Sequence, residues 1–272
     1  ATYGGNTDNE YTQKFGKQQG KYYVPQRAAA GLDPWATPQA YDNAKDFFDT
    51  GITWSNSLNV AQMLDKSSYS ISLGNTHQDG IISSTGMDRY NVKVSADTKL
   101  TNNWSSGFTA NYITTSIDKA VTSGNGLLRT VYAAPPSYDL AGIPSHVDGN
   151  PYTQNSFRGS FDNAYWAMDN NKFTEDTNRF FGNVYASYQT DFGTTNHKLN
   201  AKYMVGVDAY TTHYVDSYGY GSNTGGGRGQ IENYGWTNAT YNSLLTINYD
   251  WRINEDWGLN AVSVSYTHLR AH

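Results

Sequence analysis

A period of two governs most of this sequence. From residue 52 onward apolar or aromatic residues alternate with small polar ones. Trp54, Asn56, Leu58 and Val60 stand against Ser55, Ser57, Asn59 and Ala61, and after a short turn at 65–67 Tyr69, Ile71 and Leu73 stand against Ser70, Ser72 and Gly74. Successive side chains of a strand point to opposite faces, so each run builds one greasy face and one wet face. The pattern returns at Tyr90, Val92, Val94 and Ala96, at Trp104, Phe108, Ala110 and Tyr112, and at Phe180, Val184, Ala186 and Tyr188. It returns again at Leu199, Ala201, Tyr203, Val205, Val207 and Ala209 and at Ala239, Tyr241, Leu245, Ile247, Tyr249 and Trp251, and a last run opens at Trp257 and Leu259. The runs are about ten residues long, the length of a membrane-crossing strand.

The connections between the runs sharpen this. They are short at 65–67, 98–103, 191–196 and 254–256, and long at 75–89, 117–177 and 210–235. In an antiparallel meander every second connection lies at the same end, so the short turns share one end and the long loops the other. The expected fold is all-β: an antiparallel meander of about eight strands forming part of a transmembrane outer-membrane β-barrel, with tight periplasmic turns and long extracellular loops. Trp54, Trp104, Tyr188, Trp251 and Trp257 lie near run ends, where interfacial girdles sit. The other face, rich in Asn, Ser, Thr, Lys and Asp, suits a wet lumen better than a dry sandwich core. An extracellular all-β domain with one solvated face would alternate too, and it stays as the alternative.

The connection 117–177 is far longer than the usual ~4–6 residues. Its middle, 131–151, holds Pro135, Pro136, Pro144 and Pro151, four of the seven prolines, with Asp148-Gly149 and Asn150-Pro151 as further turn signals. Tyr132, Tyr138, Tyr152, Phe157, Phe161, Tyr165, Trp166 and Phe173 give it anchors that a disordered segment lacks. Residues 1–51 show neither period and are expected to form an irregular extracellular segment, with a helical turn near 40–48. The barrel portion is read as 52–261, and 262–272 as a non-native tail, because it breaks the expected continuation of the last strand and looks like read-through. Residues are 15% aromatic but only 38% hydrophobic, as expected of a β-surface greasy on one side, and a net charge of −5 without a basic stripe argues against nucleic acid.

Enzyme constellations are missing from the sequence. The histidines at 77, 146, 197, 213, 268 and 272 lack metal-ligand spacing, the glycines of 219–229 lack a Lys-Ser/Thr ending, and neither a cysteine nor a Gly-x-Ser-x-Gly elbow is present. The expectation is a non-enzyme without cofactor or metal. What remains is binding chemistry in the long loop, where aromatic rings stack on a ligand and Asp, Asn and Arg orient it. The candidates for ligand or lid contact are Tyr138, Asp139, Asp148, Asn150, Arg158, Tyr165 and Trp166. Two other uses of these rings stay open: packing the loop onto itself, or forming a docking surface for a lid protein.

Several segments also resemble one family. Asp46-Phe-Phe-Asp-Thr-Gly51, Asn75-Thr-His-Gln-Asp-Gly80, Arg89-Tyr-Asn-Val-Lys-Val94, Val131-Tyr-Ala-Ala-Pro-Pro-Ser-Tyr-Asp-Leu140, Asp148-Gly-Asn-Pro151 and Asn178-Arg-Phe-Phe-Gly-Asn-Val184 look like the barrel of SusC/RagA-type TonB-dependent transporters of Bacteroidetes. The likeness runs from about residue 45 to 261. It implies a 22-stranded barrel in the bacterial outer membrane, bounded by outer-membrane lipid and closed by an N-terminal plug that engages TonB. It also implies a SusD-like surface lipoprotein as partner and import of oligosaccharides or peptides. The sequence shows no TonB box and no plug, so the expectation is an internal stretch of such a barrel. The alternatives are a secreted or surface β-rich glycan-binding module and a small barrel adhesin.

Overall fold

The computed structural model describes residues 20–120 and 126–271. The first nineteen residues of the expected irregular segment, 1–51, and residues 121–125 of the long connection lie outside them. In chain order the elements are β1 (Tyr22–Tyr23), α1 (Pro25–Ala29), β2 (Trp35–Ala36), α2 (Asn43–Phe47), β3 (Thr53–Met63), β4 (Ser67–Asp79), β5 (Gly86–Lys99) and β6 (Trp104–Lys119). There follow α3 (Leu127–Ala133), β7 (His146–Val147), β8 (Asn150–Gln154), α4 (Ala164–Asn170), β9 (Lys172–Thr190), β10 (His197–Tyr218), β11 (Gln230–Arg252) and β12 (Gly258–Ala271). The large sheet has eight strands in the order β12-β11-β10-β9-β6-β5-β4-β3, every neighbouring pair antiparallel. The expected all-β meander is therefore the fold. Among the described residues no helix is long and apolar enough to cross a membrane, which leaves crossing by strands open.

The register sorts the side chains as the period of two requires. Directly opposed residues of an antiparallel pair share a face. One such row runs Leu58, Leu73, Val92, Tyr112, Phe180, Ala209 and Ala239, and another runs Phe108, Val184, Val205 and Ser243. This apolar face is bare: Trp54 is 65% exposed, Leu58 and Val60 58% each. An exposed apolar surface of this extent marks contact with another apolar phase. Along β10 the apolar stretch from Leu199 to Ala209 covers ~33 Å at ~3.3 Å per residue. A strand tilt of about 40° reduces that to ~25 Å, the height of the lipid-facing band of a barrel. Trp104 and Tyr188, 5.0 Å apart, edge the band on the short-turn side, while Tyr90, Tyr112, Phe180 and Tyr241 edge it on the other.

The strands are longer than the expected ten or so residues, reaching 22 in β10 and 23 in β11. On the long-loop side they outrun the apolar band. There Asp88, Ser116, Asp176 and His213 occupy the face that is apolar lower down. With both faces polar the contrast that reveals a strand vanishes, although the backbone pairing continues. The connections expected at 75–89 and 210–235 consequently shrink to 80–85 and 219–229, and the long one to 120–171.

β12 departs in another way. Leu259 and Ala261 continue the apolar face opposite Trp251 and Tyr249, but Ser263, Ser265 and Thr267 then fall on it, while Val262, Val264 and Tyr266 turn to the polar face. The pairing expected to break at 262 runs on to Ala271. What breaks there is the phase of the alternation, as in a one-residue slip.

The buried core lies outside the sheet, in a cap at the long-loop end. Tyr22, Val24 and Phe47 from the N-terminal segment, Ile82 from the β4–β5 turn, and Leu127, Val131, Tyr138, Leu140, Ile143, Phe157, Phe161, Ala164, Trp166 and Ala167 from the long connection form one cluster. Residues 20–51 thus contribute Tyr22, Val24 and Phe47 to the cap core, while most of the segment stays at the surface. α2 falls within the expected helical turn at 40–48, with the Asp42 carboxylate accepting from the Lys45 amide. α3 ends just before Pro135-Pro136, which disfavours continuation of a helix.

Candidate functional site

The cap is held together by buried side-chain hydrogen bonds. The Asn43 amide donates to the Pro135 carbonyl at 3.3 Å and its oxygen accepts from the Leu140 N–H at 3.1 Å, tying α2 to the proline-rich stretch. The Asn155 amide donates to the carbonyls of Gln26 at 2.8 Å and Pro144 at 3.0 Å. Asn163 caps α4, its oxygen accepting from the N–H groups of Tyr165 and Trp166.

Asp162 joins the cap to the β10–β11 loop. Its buried carboxylate accepts from Gln154 Nε2 at 2.8 Å, Ser222 Oγ at 2.6 Å, the Asn223 N–H at 2.7 Å and Asn223 Nδ2 at 2.8 Å. Gln154 Nε2 also donates to the Gly221 carbonyl at 2.8 Å. Gly221 has φ +101°, and a Cβ there would collide with the Tyr152 carbonyl. Only glycine suits both the backbone angle and the approach.

The structure separates the seven candidate residues into different roles. Trp166 is fully buried, its Nε1 donating to the Pro151 carbonyl at 2.8 Å, and Tyr138 is 2% exposed, packed on Phe157. Both are core residues, and in this arrangement neither ring is presented to a ligand or lid. Tyr165 is half-buried, edge-on to Phe47 at 5.3 Å, and its hydroxyl donates to the Asp46 carbonyl. Burial, then the charges of Asp46, Asp139 and Asp49, raises the pKa of this phenol and keeps it a donor. Asp139 accepts from the Gly142 N–H at 2.7 Å within a turn.

Asp148, at φ 48°, and Asn150, whose oxygen accepts from the Tyr152 N–H, sit exposed at the tip of the β7–β8 hairpin. The exposed Arg158 lays its guanidinium over Phe161 at 5.1 Å. The packing alternative therefore describes Tyr138, Trp166 and most of Tyr165, and of the seven candidates Asp148, Asn150 and Arg158 are the exposed ones.

Two groups went unread in the sequence. Tyr152 and Tyr220, from different loops, meet edge-on at 5.8 Å on the outside of the cap and are 59% and 62% exposed. On the polar face Arg179 forms a two-pronged ion pair with Asp208, Nε to Oδ1 at 2.8 Å and Nη2 to Oδ2 at 2.5 Å, and Lys202 lies over Tyr185 at 4.0 Å. Higher on that face, Tyr214 stacks on Tyr234 and is tilted against Trp236, a row of three rings.

No family model matches this sequence, and no curated protein does. Among solved structures the fold matches the RagAB peptide importer in its closed-closed state, with a TM-score of 0.67 and 15% identity over 85% of this chain. It matches the same importer in its open-open state with a TM-score of 0.66 and 15% identity over 86% of this chain. The likeness is one of fold. It supports a distant structural relationship, and the chain spans 27% of the length of the importer chain in each case.

Proposed function

We propose that this chain forms wall and cap of an outer-membrane transporter of the SusC/RagA type, which imports peptides or oligosaccharides with a SusD-like surface lipoprotein and draws energy through TonB. The observation that carries the reading is one sheet with a bare apolar band on one face, a polar and aromatic surface on the other, and a packed cap at the long-loop end. Lipid would cover the first, the ligand path would run along the second, and the cap would meet ligand and lipoprotein. The fold likeness to a peptide importer supports it. The wall and cap perform no bond-making step in this reading.

The test is growth and uptake on defined oligopeptides or oligosaccharides by a strain carrying the intact gene, its deletion, and the intact gene without TonB, together with co-purification of a surface lipoprotein. Uptake lost in both deletions, with a lipoprotein retained on the purified barrel, supports the reading. Unchanged uptake in the gene deletion on every substrate overturns it.

A further inference from the structure

We infer that the polar face above the apolar band carries a subsite for the basic side chain, ammonium or guanidinium, of an oligopeptide ligand. The inference rests on the transporter reading only in taking this face as the ligand path.

The argument starts from a row of groups that the register of β6, β9, β10 and β11 places on one face. Lys119 Nζ stands 4.4 Å over the ring of Tyr214 and is paired with Glu175 at 3.2 Å. Tyr214 stacks on Tyr234, directly opposite across the strands, at 5.0 Å and 8° between planes, and leans on Trp236 at 5.1 Å. On the Lys119 side the arrangement is complete: a ring, a cation over it and a carboxylate holding the cation.

On the other side two of the three parts are present. Tyr234 and Trp236 are 43% and 49% exposed, and beside them Asp216 and Glu232 stand directly opposite each other. Like charges in opposed positions of an antiparallel pair repel. Their donors are neutral, the Tyr234 hydroxyl at 3.1 Å from Asp216 and Gln230 Nε2 at 2.5 Å from Glu232. Among the described residues no Lys, Arg or His is ion-paired with either acid, and no Lys or Arg stands over Tyr234 or Trp236. The missing part is a cation.

A lysine or arginine side chain supplies it with one flexible stem, the apolar methylenes lying along the rings and the charged head reaching the two acids. A neutral sugar can cover a ring but leaves the repulsion in place. An amino sugar holds its ammonium rigidly at the ring edge, so stacking and charge contact compete.

The test is calorimetric titration of the intact protein bearing this chain, in detergent, with end-blocked pentapeptides whose central residue is arginine, citrulline or glutamate, and with a glucosamine oligomer. The arginine peptide is expected to bind about tenfold or more tighter than its citrulline twin. That preference should vanish in the Asp216→Asn/Glu232→Gln double variant, which removes charge but not volume, and should fall in Trp236→Ala, each variant keeping the parent's heat-modifiable migration. Equal binding of the arginine and citrulline peptides overturns the inference, as does a preference surviving the double variant or tighter binding of the glucosamine oligomer. Uptake is scored separately. Charge-selective binding without uptake keeps the subsite and removes the transporter reading, whereas uptake blind to charge and to the variants does the reverse.

Discussion

At the residue scale the cap depends on a few polar side chains that replace water inside it. Asp162 is a buried carboxylate whose charge is met by four hydrogen bonds from Gln154, Ser222 and Asn223. Removing the acceptor leaves the buried Ser222 hydroxyl without it, and a buried unsatisfied group costs ~1–3 kcal/mol, whereas the exposed Asn223 and part-buried Gln154 can turn to water. Asp162→Ala should therefore cost about 1–3 kcal/mol in cap stability and free the loop at 219–229, seen as new protease cleavage in its glycine run, while Asp162→Asn keeps part of the network and should be milder. Trp166→Ala opens a hole in the same layer, where truncating a large aromatic costs ~3–5 kcal/mol. Thermal unfolding in detergent should show an early cap transition in Trp166→Ala, and none in Tyr152→Ala, whose ring is largely in solvent. An unshifted transition in Trp166→Ala would contradict the burial described above.

At the element scale the two faces of each strand make opposite demands on substitution. Val184 lies on the apolar face of β9, between Phe108 and Val205, and its neighbour Asn183 points to the polar face. A lysine placed on the lipid face near mid-membrane costs ~2–4 kcal/mol, and on the lumenal face little. Val184→Lys should therefore reduce assembly of the intact protein into membranes, measured as loss of the heat-modifiable form, with Asn183→Lys near the parent; equal behaviour would mean that the band does not face lipid.

This contrast is also what made the strands readable. Tyr69, Ile71 and Leu73 against Ser70, Ser72 and Gly74 announce β4 without help. The upper parts of β10 and β11 did not announce themselves, because Tyr210, Thr212, Tyr214, Asp216 and Tyr218 put aromatic rings on the polar face while Thr211 and His213 put polar groups on the other. The rings were visible in the sequence, but the contrast that assigns a face was gone, and the row of rings went unread. In the cap the aromatic anchors were legible as a group, whereas the burial of Tyr138 and Trp166 and the exposure of Tyr152 and Tyr220 depend on partners far away in the chain.

At the scale of the whole molecule the eight-stranded sheet has two open sides. Among the described residues β3 and β12 each pair along one edge only, and they do not pair with each other. In hydrocarbon every unpaired N–H and C=O costs several kcal/mol, so a spanning sheet must close, either on itself or through further strands. Closing eight strands on themselves would bring β3 against β12. β12 is ill suited to that from Ser263 onward, where Ser263, Ser265 and Thr267 turn to the lipid side and Val262, Val264 and Tyr266 to the interior. The polar face would also have to fit a narrow lumen already carrying Tyr185, Arg179, Tyr214 and Trp236. Further strands between β3 and β12 avoid both problems. The 272-residue chain refolded alone into detergent micelles should therefore give no heat-modifiable species on gels and should aggregate through its free edges. The intact protein should migrate as a closed barrel. A compact, heat-modifiable form of the 272-residue chain alone would mean that β3 and β12 do meet, and a small eight-stranded barrel would replace the larger one.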